Sequence, residues 1–395
     1  MGDNYLYLYP DTFFFNGKDT MLLYSTANHN VLEIKSDSIL QQLQNNLMQL
    51  ENSYCIKIDD TILVQYKQVL DDIINGGFGS VVKTSFEKRP VSYPPVLKIN
   101  RDIDSIRYDY GKGRAGYILQ YLHEITIYLS GHKHIEDHNY KQTIYPIACS
   151  GKLVEEKLLK LIDSTQGGAL DVINLLGDTK IISEYLNLFQ MLRHLDIRVN
   201  FYILYEDFCN NKDTIEAIMP DFNIIVLYKG CFLKSINPSY DSVCLITSET
   251  EVNIAEQFLL ENTDKEKSIE LVPIYTGENL EFFKKNVFIT KEEILLQKRS
   301  KQDIFINMEL NTNYFGKLTI LPDGHIYSNV NRNPLGTIDD SLYEIIYKEL
   351  DESVAWRNVR NEEPCNKCRF RWLCPPVSNY EFIAKTYNLC TINIF

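Results

Sequence analysis

Four cysteines near the carboxyl end of the chain constrain its fold more than any other feature of the sequence. They follow the pattern C-x2-C-x5-C-x15-C and are Cys365, Cys368, Cys374 and Cys390. Thiolates at this spacing enclose an iron–sulfur cluster or a tetrahedral zinc ion, and the spacing alone does not choose between the two. The sequence therefore predicts one closed metal centre in this segment.

The other five cysteines do not suggest a disulfide framework, because they are single residues in apolar or mixed surroundings. None lies between Cys55 and Cys149, and the triad C-x3-C-x2-C occurs nowhere in the chain. We expect buried, small hydrophobic side chains at Cys149, Cys209, Cys231 and Cys244.

The size and net charge of the chain limit the classes of protein to which it can belong. A chain of 395 residues is too long for one small core, so two or three domains are expected. The net charge of -13 argues against nucleic-acid binding, which needs clustered Lys and Arg, and the basic stretch 357–371 is interpreted as a solvated face. No apolar run approaches the roughly 20 residues of a membrane span, and the first residues lack a secretory signal. We expect a cytoplasmic protein without a membrane partner.

The first fifth of the chain has the pattern of a small winged-helix domain. Short strands are predicted at 11–16, 20–26 and 30–34. Ser38 is expected to cap a helix with an apolar face, and Asp59 and Asp60 to open a second helix that ends at Gly76 and Gly77.

The middle of the chain alternates strands with helices, which indicates a parallel sheet. Strands are predicted at 96–100, 124–129, 170–174, 199–204, 223–227, 243–247 and 269–275, and helices at 154–161, 182–195 and 252–260. Six or seven such units favour a partial or full α/β barrel.

The last part of the chain begins with a predicted hairpin at 316–329, turning at Asp323 and Gly324. The segment 335–338 and a helix at 341–350 follow, and Trp356 stands ahead of the cysteines.

The order of strands and helices in the first domain resembles the RiPP recognition element, a peptide-binding domain attached to many enzymes that modify ribosomally synthesised peptides (RiPPs). The resemblance implies that a leader peptide adds as an extra strand beside the third strand, with the second helix as the other wall. The residues it assigns to peptide binding are Val31, Leu32, Glu33, Ile34, Tyr66, Val69, Leu70 and Ile73. A purely structural winged helix is the alternative.

The middle segment resembles a radical S-adenosylmethionine (SAM) barrel without its cluster-binding triad. Residues 122–130 match the lead-in of the first strand, and Gly131, His132, Lys133 and His134 stand where three cysteines are expected. The family's glycine-rich turn corresponds at best to 176–178. The resemblance implies a degenerate barrel that binds no S-adenosylmethionine and a chain that is not an enzyme.

The cysteine segment resembles a SPASM domain, the extension of peptide-modifying radical enzymes that holds two auxiliary 4Fe-4S clusters through seven cysteines. The four cysteines match the complete ligand set of the second cluster. Asn313, Asn329 and Ser378 stand at positions of the first. The resemblance implies one 4Fe-4S cluster, with zinc as the alternative.

Together these features predict an α/β chain of three domains. They are a winged-helix domain like the RiPP recognition element over 1–92, a degenerate, partial radical SAM barrel over 93–305, and a SPASM-like domain with one metal cluster over 306–395. The segment 374–381 and the missing triad resemble the pseudo-radical-SAM proteins with a SPASM domain that are paired with radical peptide maturases for glycine-glycine leader precursors.

That family implies a non-catalytic accessory subunit that binds the precursor leader and supports an active radical SAM peptide maturase. An electron-relay iron–sulfur subunit of the same complex is the first alternative. An enzyme that uses Asp178, Glu206 or the His132 loop is the second. His132, His134 and His138 are interpreted as a solvated loop rather than a substitute metal site.

Overall fold

The computed structural model describes residues 2–17, 19–95, 102–131, 138–147, 151–177, 179–237, 239–261, 267–386 and 388–392. The strands are β1 (Asp3–Leu8), β2 (Thr12–Asn16), β3 (Thr20–Ser25), β4 (Val31–Lys35), β5 (Cys55–Ile58), β6 (Gly79–Thr84), β7 (Glu124–Tyr128), β8 (Val172–Leu176), β9 (Arg198–Leu204), β10 (Asn223–Lys229), β11 (Asp241–Ile246), β12 (Ile269–Pro273), β13 (Lys317–Ile320), β14 (His325–Tyr327) and β15 (Gly336–Thr337). The helices are α1 (Ser38–Met48), α2 (Asp60–Gln65), α3 (Lys67–Asn75), α4 (Ile103–Gly111), α5 (Glu155–Asp163), α6 (Leu186–Arg193), α7 (Tyr205–Ile218), α8 (Glu249–Glu261), α9 (Leu280–Asn286), α10 (Lys291–Leu296), α11 (Lys301–Glu309), α12 (Leu342–Glu352) and α13 (Asn379–Ile383).

The amino-terminal part contains two small antiparallel sheets rather than one. The three predicted strands are confirmed as the sheet β2-β3-β4, in which β4 pairs through Ile34 with Met21 and through Leu32 with Leu23. A second sheet, β5-β1-β6, is built from strands that the sequence did not predict. A shared apolar core between these sheets and α1, α2 and α3 holds the unit together.

The helices of this part differ from the prediction in two details. Asp37, not Ser38, caps α1, because its carboxylate accepts the N–H groups of Ile39 and Leu40. The predicted second helix is two helices, α2 and α3, which meet at Tyr66, where the backbone leaves helical geometry. Asp59 caps the first of them, as predicted.

A mixed α/β fold with a large, mostly parallel sheet forms the middle of the molecule. Its order in the described residues is β12-β11-β10-β9-β8-β7-β13-β14-β15, with all strands from β12 to β13 parallel. In the described part of the chain β12 and β15 end this sheet, so a full barrel is not seen there, and the partial barrel stays a prediction. The predicted strand 96–100 lies outside the described residues.

Continuous apolar runs explain why these strands were predictable, since parallel strands are buried on both faces. Ile125, Ile173 and Phe201 are completely buried beneath the surrounding helices. The predicted helices 154–161 and 252–260 are confirmed as α5 and α8. The predicted helix 182–195 is instead a 3-10 turn, Thr179–Tyr185, followed by α6. No helix in the described part of the chain is long and apolar enough to cross a membrane.

The carboxyl-terminal hairpin is confirmed and joins the same sheet. Gly324 takes a left-handed backbone conformation with φ of +87° at the turn, which suits glycine. The predicted following helix is α12. Because β13 pairs with β7, the cysteine-bearing part is attached directly to the parallel strands of this sheet.

A buried carboxylate fixes the chain after α12. Glu349 is completely buried, and its Oε1 accepts the N–H groups of Ala355 (2.8 Å) and Trp356 (2.7 Å). Its Oε2 accepts the hydroxyl of Ser328 at 2.5 Å. Burial raises the pKa of Glu349 above its ordinary value, although these three donors oppose the shift.

We expect Glu349 to make the folded protein less stable as the pH rises. A carboxyl whose pKa is raised on folding contributes stability that is fully present below its ordinary pKa of 4.5 and is lost as the pH rises through the raised value. The side chain in Glu349→Gln cannot titrate. As the pH rises through that window, the free energy of unfolding of the wild type should therefore fall relative to that of the variant. Urea unfolding at a series of pH values measures this difference. A difference that does not change with pH would contradict the assignment.

Candidate metal centre and peptide-binding strand

The four predicted ligands lie around one small cavity, which is lined by Cys365, Cys368, Cys374 and Cys390. The first three are on the turns between 365 and 374, and Cys365 opens a short 3-10 turn, Cys365–Lys367. Cys390 returns to them because the chain around it pairs with Ile289, whose N–H donates to Leu389 O (2.9 Å) and whose O accepts from Thr391 N (3.0 Å).

Three N–H groups donate to sulfur atoms of these cysteines. Phe370 N lies 3.4 Å from Cys368 Sγ, and Asn388 Nδ2 lies 3.1 Å from Cys390 Sγ. Arg360 Nη1 lies 3.7 Å from Cys365 Sγ. Such donors stabilise negative charge on sulfur and influence the potential of iron–sulfur clusters.

Charge at the cavity also favours thiolate ligation. Arg360 and Arg371 both line it. Burial raises the pKa of the thiols of Cys365, Cys368 and Cys374, and the guanidinium of Arg360 opposes that shift at Cys365 and Cys374. Binding of a metal would therefore displace protons from these thiols.

Within the described residues, no three or more His, Cys, Asp or Glu side chains are arranged to hold a metal ion. The four thiols nevertheless line one cavity, and each can turn towards it because a cysteine side chain reorients about a single bond. Four thiols, three donors to sulfur and two guanidinium groups fit a thiolate-bound centre. A cluster bound there would supply electron transfer or rigidity, and zinc would supply rigidity alone.

The three positions implied for the first SPASM cluster also come together. Asn313, Asn329 and Ser378 line one cavity of about 430 Å³ beside the start of β7. Amide hydrogen bonds occupy these side chains: Asn329 Nδ2 donates to Asn379 Oδ1 at 2.9 Å, and Asn313 Nδ2 donates to Val377 O at 3.1 Å. The substituted positions therefore form a hydrogen-bonded polar cluster.

The residues assigned to peptide binding lie on both sides of β4 and on α3. Ile34, Tyr66, Leu70 and Ile73 are buried in the amino-terminal core. Leu32 and Val69 are partly buried against that core, so they are the members of the set that can still contact a ligand beside β4. Val31 packs instead on the opposite face, against the cysteine-bearing part.

Glu33 also faces the cysteine-bearing part. Its Oε2 accepts a hydrogen bond from Arg369 Nε at 2.9 Å and lies 2.6 Å from Arg369 Nη2, and its Oε1 forms an ion pair with Lys291. Burial alone would raise the pKa of Glu33, but the two cations outweigh it and hold the pKa below its usual value. These partners could not be predicted from local sequence, because they are more than 250 residues away along the chain.

The alternative hypotheses named residues in the His132 loop, Asp178 and Glu206. His132, His134 and Asp178 lie outside the described residues, and His138 and Glu206 are exposed.

The single cysteines were predicted to be buried, and this is confirmed for Cys244 and wrong for Cys209. Cys209 is exposed because it lies on the outer side of α7, a helix that the sequence did not predict. Cys149 and the side chain of Cys231 lie outside the described residues.

No family model and no curated protein matches the chain. Among solved structures it is similar to Streptococcus suis SuiB bound to the precursor peptide SuiA, at 12% identity and a TM-score of 0.44, covering 98% of this chain and 99% of the other. SuiB bound to S-adenosylmethionine gives 12% identity and a TM-score of 0.42 over the same shares of both chains.

The prediction that the chain is not an enzyme is contradicted by these matches, which extend over 98% of its length, and it is withdrawn. The expectation that this chain binds no S-adenosylmethionine stays a prediction.

Proposed function

We propose that this chain binds the precursor of a ribosomally synthesised, modified peptide as an added strand beside β4, and that Cys365, Cys368, Cys374 and Cys390 hold one metal centre in its carboxyl-terminal domain. One observation carries the peptide half of the proposal. The outer edge of β4 has no strand partner among the described residues, although both of its faces are packed.

A strand held on both faces presents its unpaired N–H and C=O groups in a fixed row, which is the requirement for capturing an extended peptide. Leu32 on β4 and Val69 on α3 are partly buried against the core, and we propose that they contact side chains of the added strand. SuiB is crystallised with a precursor peptide, the class of ligand proposed here. Cooperation with an active radical maturase remains a prediction.

Strand addition can be tested without changing the protein. A random library of short peptides is selected on the purified full-length chain, and the tightest binder is resynthesised with N-methyl groups at either odd or even positions. Successive N–H groups of a strand point to opposite edges, so one series should lose roughly tenfold or more in affinity and the other should keep it. Equal affinities for the two series would rule out strand addition.

A matched pair of variants places the site on the protein. Val69→Ala should weaken the selected peptide, whereas Val64→Ala, at a side chain that is 79% exposed on α2, should not. Fluorescence anisotropy gives both affinities, and circular dichroism confirms that both variants are folded. Loss of binding in Val64→Ala alone would place the peptide elsewhere.

A further inference from the structure

The strand proposed to bind peptide and the loop proposed to bind metal are joined by one side chain. Arg369 follows Cys368 directly in the chain. Its Nε–H donates to Glu33 Oε2 on β4 at 2.9 Å, and its Nη2 lies at ion-pair distance, 2.6 Å, from the same oxygen. The Arg369 and Glu33 side chains are only 20% and 24% exposed. An ion pair that includes a hydrogen bond is directional when the guanidinium and the carboxylate are mostly removed from water, so it fixes position as well as charge.

The backbone around Arg369 is tied to the same two sites. The N–H of Phe370 donates to Cys368 Sγ, and the completely buried Phe370 ring belongs to one apolar cluster with Phe13 and Tyr24 of the sheet β2-β3-β4. At the β2–β3 turn, Gly17 approaches Arg369 so closely that an added Cβ would lie 3.2 Å from Arg369 Cβ. The cysteine turn therefore packs on the face of the sheet opposite to α3.

Ligation of Cys368 would limit the motion of the residue next to it, because the sulfur becomes one corner of a closed centre. Arg369 would then hold Glu33, and with it the middle of β4, in one position. An added strand needs the edge of β4 to be straight and ordered, so binding at the edge is easier once that order is already present.

We propose that Arg369 is a positioning residue that couples metal binding at the four cysteines to peptide binding at β4. The inference rests on the proposed function, because it takes both sites from it. Coupling of this kind is reciprocal, so bound peptide must also strengthen metal binding by the same factor.

The test uses the selected peptide, labelled with fluorescein, and the full-length protein in metal-loaded and metal-free form. Loaded wild type should bind the peptide roughly tenfold more tightly than metal-free wild type, within the usual range of coupling between two sites. In Arg369→Gln the ratio of the two dissociation constants should fall close to one. Lys367→Gln is the matched control, since Lys367 is on the same turn but pairs only locally, with Glu363.

A second variant and a second readout keep the test decisive if Arg369→Gln folds poorly. Glu33→Gln removes the carboxylate from the other side of the contact and should also bring the ratio close to one. In wild type, peptide should slow removal of the metal by a chelator, and in Glu33→Gln it should not.

The outcomes separate this inference from the function on which it rests. Absence of any peptide or metal binding would overturn the proposed function. Equal peptide affinity with and without metal in wild type would overturn the coupling and leave the proposed function standing. If Arg369→Gln weakened the peptide equally in both forms and kept the wild-type ratio, Arg369 would have a structural role only, and its assignment as the coupling residue would be wrong.

Discussion

Replacing Cys374 with alanine is expected to leave the purified protein without its metal. Cys374 is 9% exposed and lines the same cavity as the other three cysteines, so its loss removes one of the four thiols from that cavity. A closed four-thiolate centre that loses one ligand acquires an open position, and iron–sulfur clusters with an open position are more easily lost. Anaerobic purification followed by measurement of iron, sulfide and zinc per chain is the direct test.

The wild-type protein should carry about four irons and as many sulfides for a 4Fe-4S cluster, or about one zinc for a structural site. Cys209→Ala is the matched control, because Cys209 is exposed on α7 and outside the cavity. It should keep the full metal content. Metal retained in Cys374→Ala, or lost in Cys209→Ala, would contradict the assignment of the four ligands.

The identity of the metal also decides whether the centre transfers electrons or is structural only. A cluster that takes up and releases one electron would allow the electron-relay hypothesis, and Cys374→Ala would then lose that activity. Zinc has no redox chemistry, so zinc alone would end the relay hypothesis and leave the cysteines as a structural site. In either case the N–H donors from Phe370 and Asn388 should stabilise the bound thiolates.

The parts of the fold that could be predicted from sequence are those in which local pattern and burial agree. The parallel strands β7 to β12 are apolar runs between helices, and the β13–β14 hairpin turns at Asp-Gly. The sheet β5-β1-β6 was missed because its strands pair across 50 to 80 residues and β5 has only four residues. Helix α7 was missed because an interruption at Asn211 breaks its apolar periodicity.

The candidate metal site was also predictable from sequence only in part. Spacing was sufficient to group Cys365, Cys368 and Cys374 with Cys390, since the first three are close in sequence. It could not identify Arg360 or Asn388 as donors to sulfur, because nothing in their local sequence distinguishes them from surface residues.

The alternation of side chains along a strand explains why the peptide-binding residues predicted on β4 do not all lie on one face. Four consecutive residues were assigned to peptide binding, but successive side chains of a strand point to opposite faces. Leu32 and Ile34 consequently face the helices, whereas Val31 and Glu33 face the cysteine-bearing part. Local sequence could not predict which face of β4 packs on the cysteine-bearing part, because that depends on contacts between residues far apart in the chain.

Breaking the ion pair between Arg360 and Glu381 is expected to have the largest effect on stability. Arg360 Nη1 and Glu381 Oε1 are 2.7 Å apart, and the two side chains are 12% and 4% exposed. Arg360 Nε also donates to Pro375 O at 2.6 Å, and Glu381 Oε2 accepts Ser378 N at 2.6 Å. The pair thus ties the segment after Cys374 to the first turn of α13.

Glu381→Gln should lower the free energy of unfolding by about 3 to 5 kcal/mol, because it leaves the guanidinium of Arg360 buried without its counter-charge. Urea unfolding of the metal-free protein, followed by tryptophan fluorescence, measures the change. Lys367→Gln breaks an exposed pair with Glu363 in the same domain and should change stability little.

The double variant Arg360→Met/Glu381→Met distinguishes a buried charge left unpaired from a simple loss of contacts. If the unpaired charge dominates, removing both charges should cost less than the sum of the two single changes, since neither variant side chain then needs a partner. Additive losses would mean that the hydrogen bonds to Pro375 and Ser378, rather than the charge pair, hold this segment. The metal-free protein is the right one for the comparison, because Arg360 also donates to Cys365 Sγ and a bound centre would add its own charge to the balance.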